Sequence, residues 1–74
     1  MTKQEKVLKI LVDLSGKKEI KENDNLEGLG LDSLSMITMI IKIEDELEIE
    51  LEEKDMNPYN FKTVNALLDT LEKY

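Results

Sequence analysis

Residues 28–36 read Gly-Leu-Gly-Leu-Asp-Ser-Leu-Ser-Met, a stretch that changes character at its middle. The glycines are typical of a loop, whereas the apolar residues after Ser33 recur at helical spacing. Asp32 stands directly before the helical pattern, where its side chain can accept a hydrogen bond from the free N–H groups of a helix start. The stretch therefore predicts a loop-to-helix junction capped by Asp32. A cap needs only one of these two polar residues, so the presence of Ser33 needs a second explanation.

The segment before this junction is predicted to hold one helix and a long loop. Thr2 and Glu5 have the spacing of a capping box, and the apolar residues that follow predict a helix over residues 3–15. Gly16 is placed to end that helix. Residues 17–31 are rich in Asn, Asp and Gly, and loops of this length are often functional. We expect four apolar side chains to hold the loop on the core: Ile20, Leu26, Leu29 and Leu31.

The segment after the junction is predicted to be helical as well. A second helix spans residues 33–48, and the polar residues 52–57 have room for one helical turn before Pro58 interrupts the chain. Thr63 caps a last helix, whose apolar face is formed by Val64, Leu67, Leu68 and Leu71. No segment of useful length alternates as a strand does. The predicted fold class is all-α: one domain over residues 1–74, a small bundle of three to four helices with a long loop between the first two.

The second helix carries more apolar residues than one buried face requires. At about 100° per residue, five of them share a normal core-facing stripe: Met36, Met39, Ile40, Ile43 and Leu47. Leu34, Ile37 and Ile41 form a separate stripe that begins beside Ser33. Two explanations are open for this second stripe: burial of the helix on two sides, or an exposed surface that contacts partners.

The composition excludes most of the chemistry that small enzymes use. The chain has no cysteine and no histidine, which excludes disulfides, zinc sites with Cys or His ligands, Cys nucleophiles and Ser-His pairs. The long loop lacks the alternate oxygen ligands of a calcium loop, and no carboxylate pair stands out as an acid–base pair. We therefore expect a protein that is not an enzyme and has no metal site. The alternative of a small lyase or hydrolase that uses carboxylates ranks far below this expectation.

The charge of the chain favours protein partners. The net charge is −7, which repels nucleic acid and anionic membranes and attracts basic protein surfaces. No stretch is apolar enough over its length to span a bilayer, and the N-terminus lacks the pattern of a signal peptide. We therefore expect a cytoplasmic protein that contacts neither nucleic acid nor membrane.

Residues 29–34, Leu-Gly-Leu-Asp-Ser-Leu, resemble the LG-x-DSL signature of acyl carrier proteins and related thiolation domains. The resemblance extends over nearly the whole chain. It includes the first-helix pattern, the long loop, the acidic residues 44–47 and residues 61–64 (Phe-Lys-Thr-Val) at the start of the last helix. The letters DSL alone are a weak signal, but behind a glycine loop at mid-chain of an acidic helical protein of this size they are a strong one.

The resemblance implies a covalent cofactor on Ser33. In the family, the serine hydroxyl attacks the pyrophosphate of coenzyme A, and a separate Mg²⁺-dependent transferase (holo-carrier-protein synthase) catalyses the reaction. The product carries a 4′-phosphopantetheine arm, whose thiol holds acyl or aminoacyl groups as thioesters between enzymes of fatty-acid, polyketide or other specialised biosynthesis. By the same resemblance, Asp32 belongs to the motif and caps the helix.

The resemblance also implies the kind of partner. The partners would be the transferase and the loading and condensing enzymes, which would present basic surfaces to a monomeric carrier. We expect three apolar anchors and two acidic guides to contact them: Leu34, Ile37, Ile41, Glu44 and Asp45. The alternative is a protein of the same fold that is never modified and acts as an acidic helical adaptor.

Several positions depart from the pattern of fatty-acid carriers. Ser35 and Thr38 stand where that group commonly has carboxylates, Lys42 adds a positive charge, and Glu50-Leu51 replaces a frequent proline. A carrier dedicated to a specialised pathway is therefore at least as well supported as a fatty-acid carrier.

Overall fold

The computed structural model describes the whole 74-residue chain and contains three α-helices. Helix α1 spans Lys3–Ser15, α2 spans Ser33–Leu47 and α3 spans Val64–Leu71, with 3₁₀ turns at Glu27–Leu29 and Glu53–Asp55. The predicted all-α fold is confirmed, and the second 3₁₀ turn is the helical turn expected after α2. The first 3₁₀ turn, within the long loop, was not predicted. None of the helices is long and apolar enough to cross a membrane.

Helix α1 begins and ends where local chemistry predicts. Thr2 Oγ1 accepts a hydrogen bond from the N–H of Glu5 (3.1 Å), and Glu5 Oε1 accepts one from the N–H of Thr2 (3.4 Å). These two bonds form the predicted capping box. At the other end, Gly16 has a φ of 73° and donates its N–H to the carbonyl of Val12. This left-handed conformation is open to glycine because it has no Cβ, so Gly16 ends the helix as predicted.

Helix α2 ends one residue earlier than predicted. Glu48 has φ 54° and ψ 47°, and its N–H donates to the carbonyl of Glu44. It is the one residue other than glycine with a positive φ. A left-handed residue cannot continue a right-handed helix, so Glu48 forms the C-cap and Leu47 is the last helical residue.

One face of α2 forms the centre of the core. Met39 and Ile43 are fully buried, and the other three residues of the predicted stripe are half-buried against them: Met36, Ile40 and Leu47. Helix α1 packs against this face, and each fully buried side chain of this size stabilises the fold by roughly 1.5–3 kcal/mol. The core stripe is therefore confirmed, and the remaining core side chains of the helices are Val7, Ile10, Leu11, Val64, Leu67 and Leu71.

The long loop at residues 17–31 is held on the core by side chains and by backbone pairing. The N–H of Leu26 donates to the carbonyl of Lys62, and the N–H of Val64 donates to the carbonyl of Asp24, both at 3.0 Å. The pairing ties the loop to the entry of α3, whose N-cap is the predicted Thr63. All four expected apolar residues pack on the core, with Leu26, Leu29 and Leu31 buried and Ile20 half-buried.

A buried carboxylate fastens the second 3₁₀ turn to the end of the chain. Asp55 is only 5% exposed, and it accepts hydrogen bonds from Lys73 Nζ (2.6 Å) and from the hydroxyl of Tyr74. The Tyr74 hydroxyl in turn accepts one from the N–H of Glu52 (2.9 Å). Hydrogen bonding, first from Lys73 and then from Tyr74, lowers the pKa of Asp55, and the bonds to Asp55 raise the pKa of Lys73 and of Tyr74. No pattern in the sequence predicted this Asp55 cluster.

Candidate functional site

Asp32 is the N-cap of α2, as predicted. Its backbone is extended (φ −83°, ψ −175°), and its Oδ1 accepts a hydrogen bond from the N–H of Ser35 at 2.8 Å. That bond is the main cause that lowers the pKa of Asp32, followed by hydrogen bonding with the Ser35 hydroxyl. The carboxylate therefore satisfies a free N–H group of the first turn, and the cap does not need the Ser33 hydroxyl.

Ser33 is the first residue of α2 and is exposed. Its hydroxyl takes part in none of the hydrogen bonds within the chain, because Asp32 supplies the cap. The free N–H groups and the partial positive charge at this helix end favour a negatively charged group. A phosphate ester on Ser33 would lie at that end, so the local electrostatics fit such a group.

The loop in front of Ser33 leaves open space. Gly30 ends the first 3₁₀ turn with φ 86°, and a Cβ built on it would meet no atom within 4 Å. Leu29 and Leu31, on either side, point into the core and are 7% and 3% exposed. The loop is therefore held in place by its neighbours while Gly30 presents only backbone to an approaching molecule.

The second apolar stripe of α2 is exposed. Leu34, Ile37 and Ile41 are 75%, 55% and 59% exposed, so burial on two sides is not the explanation for these residues. The stripe begins next to Ser33 and runs along the helix away from it. The structure thus leaves Ser33 and the three apolar residues exposed along α2.

The two acidic residues predicted to guide partners lie at the other end of α2, and they differ in burial and in hydrogen bonding. Asp45 is exposed, whereas Glu44 is half-buried and its Oε2 accepts a hydrogen bond from the N–H of Leu51 at 2.9 Å. At 1.5 Å per residue, Glu44 is about 17 Å along the helix from Ser33. Contact of Glu44 and Asp45 with partners stays a prediction.

An apolar groove between α2 and the loop before α3 was not predicted from the sequence. Met36 and Ile40 line it from the helix, and Met56, Tyr59 and Phe61 line it from the loop before α3. Its volume is about 670 Å³, and Tyr59 at its rim is 82% exposed. The apolar and aromatic residues around Pro58, which are Met56, Tyr59 and Phe61, were the signal in the sequence that could have indicated it.

Comparison with known proteins places the chain in a family. The model of the family described as "Phosphopantetheine attachment site" matches residues 5–71, a range that contains the loop, the cap and Ser33. A match over this much of the chain shows family membership.

Two solved structures share the fold. One is the cognate carrier protein bound to Bradyrhizobium japonicum glycine:[carrier protein] ligase with an analogue of glycyl adenylate. It is 17% identical to the chain, with a TM-score of 0.89 and 97% of both chains covered. The other is the glycylated carrier protein with the same ligase, at 18% identity and a TM-score of 0.83, covering 92% of this chain and 96% of that one. At these identities, the likeness concerns the fold.

The family match and the geometry agree. A phosphopantetheine attachment domain needs a hydroxyl that a modifying enzyme can reach, and the start of α2 presents one beside open space. The chain belongs to the phosphopantetheine attachment site family and is a carrier protein whose covalently attached cofactor is 4′-phosphopantetheine.

Proposed function

We propose that Ser33 is the attachment point of the phosphopantetheine arm and that the chain presents the loaded arm to a series of enzymes. The observation that supports this assignment is the division of roles at the start of α2. Asp32 caps the helix, which leaves the exposed hydroxyl of Ser33 without a partner in the chain. The other two serines, Ser15 and Ser35, are half-buried.

The attachment step would be catalysed by a separate transferase. Ser33 Oγ would form a bond to the phosphorus that carries the pantetheine of coenzyme A, and the P–O bond of the pyrophosphate would break. Adenosine 3′,5′-bisphosphate would leave, and a base of the transferase would take the hydroxyl proton. The chain itself has no histidine or cysteine to act as that base, which supports a carrier without catalytic activity.

The residues of α2 would serve the carrier role by presenting Ser33 and by docking. When bound, the arm supplies a thiol that carries acyl or aminoacyl groups as thioesters. Tethering keeps such a group at a high local concentration near each enzyme that binds the carrier. Leu34, Ile37 and Ile41 would be the apolar contacts, with acidic residues near the end of α2 attracting basic partners. A monomer in the cytoplasm remains our prediction for the working form.

The cargo is proposed to be an acyl or aminoacyl group supplied by a separate loading enzyme. The fold is shared with carrier proteins that glycine:[carrier protein] ligase recognises, so aminoacyl loading is the first case to test. Fatty-acid and polyketide intermediates are the other cargoes that a thioester arm could hold.

Intact-mass spectrometry tests the proposal. The purified chain is incubated with coenzyme A, Mg²⁺ and a broad-specificity phosphopantetheinyl transferase, alongside Ser33→Ala and the matched control Ser35→Ala. We expect the wild type and Ser35→Ala to gain the mass of one phosphopantetheine group and Ser33→Ala to gain none. No mass gain on the wild type would favour the unmodified adaptor, and a gain on Ser33→Ala would place the arm elsewhere.

A further inference from the structure

The groove between α2 and the loop before α3 has one helical side and one irregular side. Met36 and Ile40 of α2 form the helical side, and residues 56–61 form most of the opposite side. Residues 52–61, the groove wall, include the second 3₁₀ turn, which is their only regular secondary structure. Contacts other than the hydrogen-bond ladder of a helix must therefore keep the groove wall in place.

The groove wall is stiffened by hydrogen bonds among its own residues. Asn60 Nδ2 donates to the carbonyl of Asp55 (2.9 Å), and the N–H of Asn60 donates to Asn57 Oδ1 (3.0 Å). Asn57 Nδ2 donates in turn to the carbonyl of Lys54 (3.1 Å). These short-range bonds link residues 54–60 to one another, so a displacement of Asp55 moves the residues that line the groove as well.

Asp55 is the one buried residue of the groove wall, and its partners come from the last two residues of the chain. Lys73 Nζ and the Tyr74 hydroxyl both donate to the Asp55 carboxylate. The N–H of Glu52 donates to the Tyr74 hydroxyl, and no other hydrogen bond joins the groove wall to the rest of the chain. Apart from Phe61, which packs on the core, the groove wall is thus fastened to the fold through two side chains.

Lys73 and Tyr74 lie where they can be displaced without unfolding a helix. Helix α3 ends at Leu71, and the N–H of Tyr74 donates to the carbonyl of Leu71 just beyond that end. The side chain of Lys73 is 55% exposed, and Tyr74 is half-buried. Because a carboxylate is costly to bury without partners, withdrawal of these two side chains drives Asp55 toward solvent, and the groove wall moves with it.

We propose that Lys73 and Tyr74 form a latch that holds the groove wall against α2, and that release of the latch opens the groove while the three helices stay folded. Local opening of this kind is typical of segments with few buried apolar side chains. The helical side of the groove begins at Met36, three residues after Ser33, so the latch sets the shape of a surface close to Ser33. The proposal goes beyond the carrier function and does not depend on where the arm is attached.

Hydrogen–deuterium exchange of the backbone amides, measured by mass spectrometry on the apo chain, tests the latch. The exchange is followed at several low concentrations of urea. Exchange through a local opening is nearly independent of urea, whereas exchange through global unfolding rises steeply with it. The urea dependence therefore shows whether the groove wall opens alone or with the whole fold.

Two variants remove one half of the latch each. Tyr74→Phe removes a hydroxyl that donates to Asp55 and accepts from Glu52, and Lys73→Met removes the ammonium group that donates to Asp55. Tyr59→Phe is the matched control. It makes the same change at an exposed tyrosine of the groove wall whose hydroxyl has no hydrogen-bond partner in the chain.

Oxidation by hydrogen peroxide reports on the groove itself in the same variants. Met36 lines the groove and is half-buried, whereas Met39 of the same helix is fully buried in the core. The peroxide must reach the thioether sulfur, so release of the groove wall accelerates the oxidation of Met36. Oxidation of Met39 requires the core to open.

We expect Tyr74→Phe and Lys73→Met to raise the urea-independent exchange of residues 52–60 about ten-fold. The amides of α2 should still exchange only through urea-dependent unfolding. Met36 should be oxidised about three-fold faster in both variants, with Met39 still protected. Tyr59→Phe should match the wild type in both measurements.

Three results would overturn the proposal. The first is wild-type exchange of residues 52–60 in both latch variants, and the second is wild-type oxidation of Met36 in both. The third is exchange of residues 52–60 that rises with urea as steeply as that of α2, because the groove wall would then open only when the whole chain unfolds.

Discussion

At the residue scale, the start of α2 separates two roles that adjacent polar residues can share. Asp32 accepts the hydrogen bond of the first turn, and Ser33 keeps its hydroxyl free. The sequence was sufficient to predict both positions, because a cap depends on residues within three positions of each other. The internal role of Glu44 could not be predicted in this way, because its partner Leu51 follows the end of the helix and the helix had to end at Glu48 for the two to meet.

We predict that Asp32→Ala lowers the Tm by a few degrees, because the N–H of Ser35 loses its acceptor. Asp32→Asn is the matched variant, since its side-chain oxygen can still accept that bond, and it should retain most of the stability. Thermal unfolding followed by circular dichroism measures both. Equal losses in the two variants would show that the charge, rather than the hydrogen bond, stabilises the helix start.

At the element scale, α2 presents two apolar faces with different roles. The helical periodicity of the sequence distinguished the two faces, and the burial of their residues confirms which face packs on the core. Ile43 of the core face is fully buried, whereas Ile41 of the other face is 59% exposed. Periodicity could not decide whether the second stripe was covered, because that depends on where the neighbouring helices lie. The groove beside Tyr59 was missed for the same reason, since its walls come from segments about 20 residues apart in the chain.

We predict that Ile41→Asp lowers the rate of modification or loading while the helical content stays that of the wild type, because no core contact depends on Ile41. Ile43→Asp is the contrasting variant, since a charge at a fully buried position has no partner and should unfold the domain. Circular dichroism and transferase kinetics on the same samples give the two readouts. Loss of helical signal in Ile41→Asp would mean that the stripe belongs to the core.

At the scale of the whole molecule, the fold is closed by contacts between distant parts of the chain. Lys3 Nζ donates to the carbonyl of Leu71 at 3.0 Å, and the Asp55 cluster joins the second 3₁₀ turn to the last two residues. Helix patterns were predictable because they are local, whereas these contacts were not. From the sequence alone, a charged residue such as Asp55 is expected to be exposed to solvent. Its burial depends on Lys73 and Tyr74, which only the folded chain brings close to it.

The shifted pKa values of the Asp55 cluster and of Asp32 predict that the free energy of unfolding decreases at both low and high pH. The pKa values of Asp55 and Asp32 are lowered in the folded chain, so their contribution is present above their ordinary pKa of about 3.9 and is lost as the pH falls below it. The pKa values of Lys73 and Tyr74 are raised, so their contribution is present below about pH 10 and is lost as the pH rises through the folded values.

Urea unfolding between pH 2.5 and 11 measures this dependence through the midpoint concentration of urea. We expect a plateau at neutral pH and a fall toward both ends. Asp55→Asn should have a lower urea midpoint at neutral pH and a smaller decrease of that midpoint at acid pH. The decrease at alkaline pH should nearly disappear, because the raised pKa values of Lys73 and Tyr74 depend on Asp55. An unchanged profile in Asp55→Asn would contradict this account of the cluster.

The central claim is that the hydroxyl of Ser33 carries the arm, and fragmentation mass spectrometry of the modified wild-type chain tests it most directly. The chain has three serines, and Ser33 and Ser35 are separated by one residue, so fragments that divide Leu34 from Ser35 locate the group. We predict that the phosphopantetheine mass lies on Ser33 and on no other residue. A group located on Ser35, Ser15 or a threonine would contradict the account.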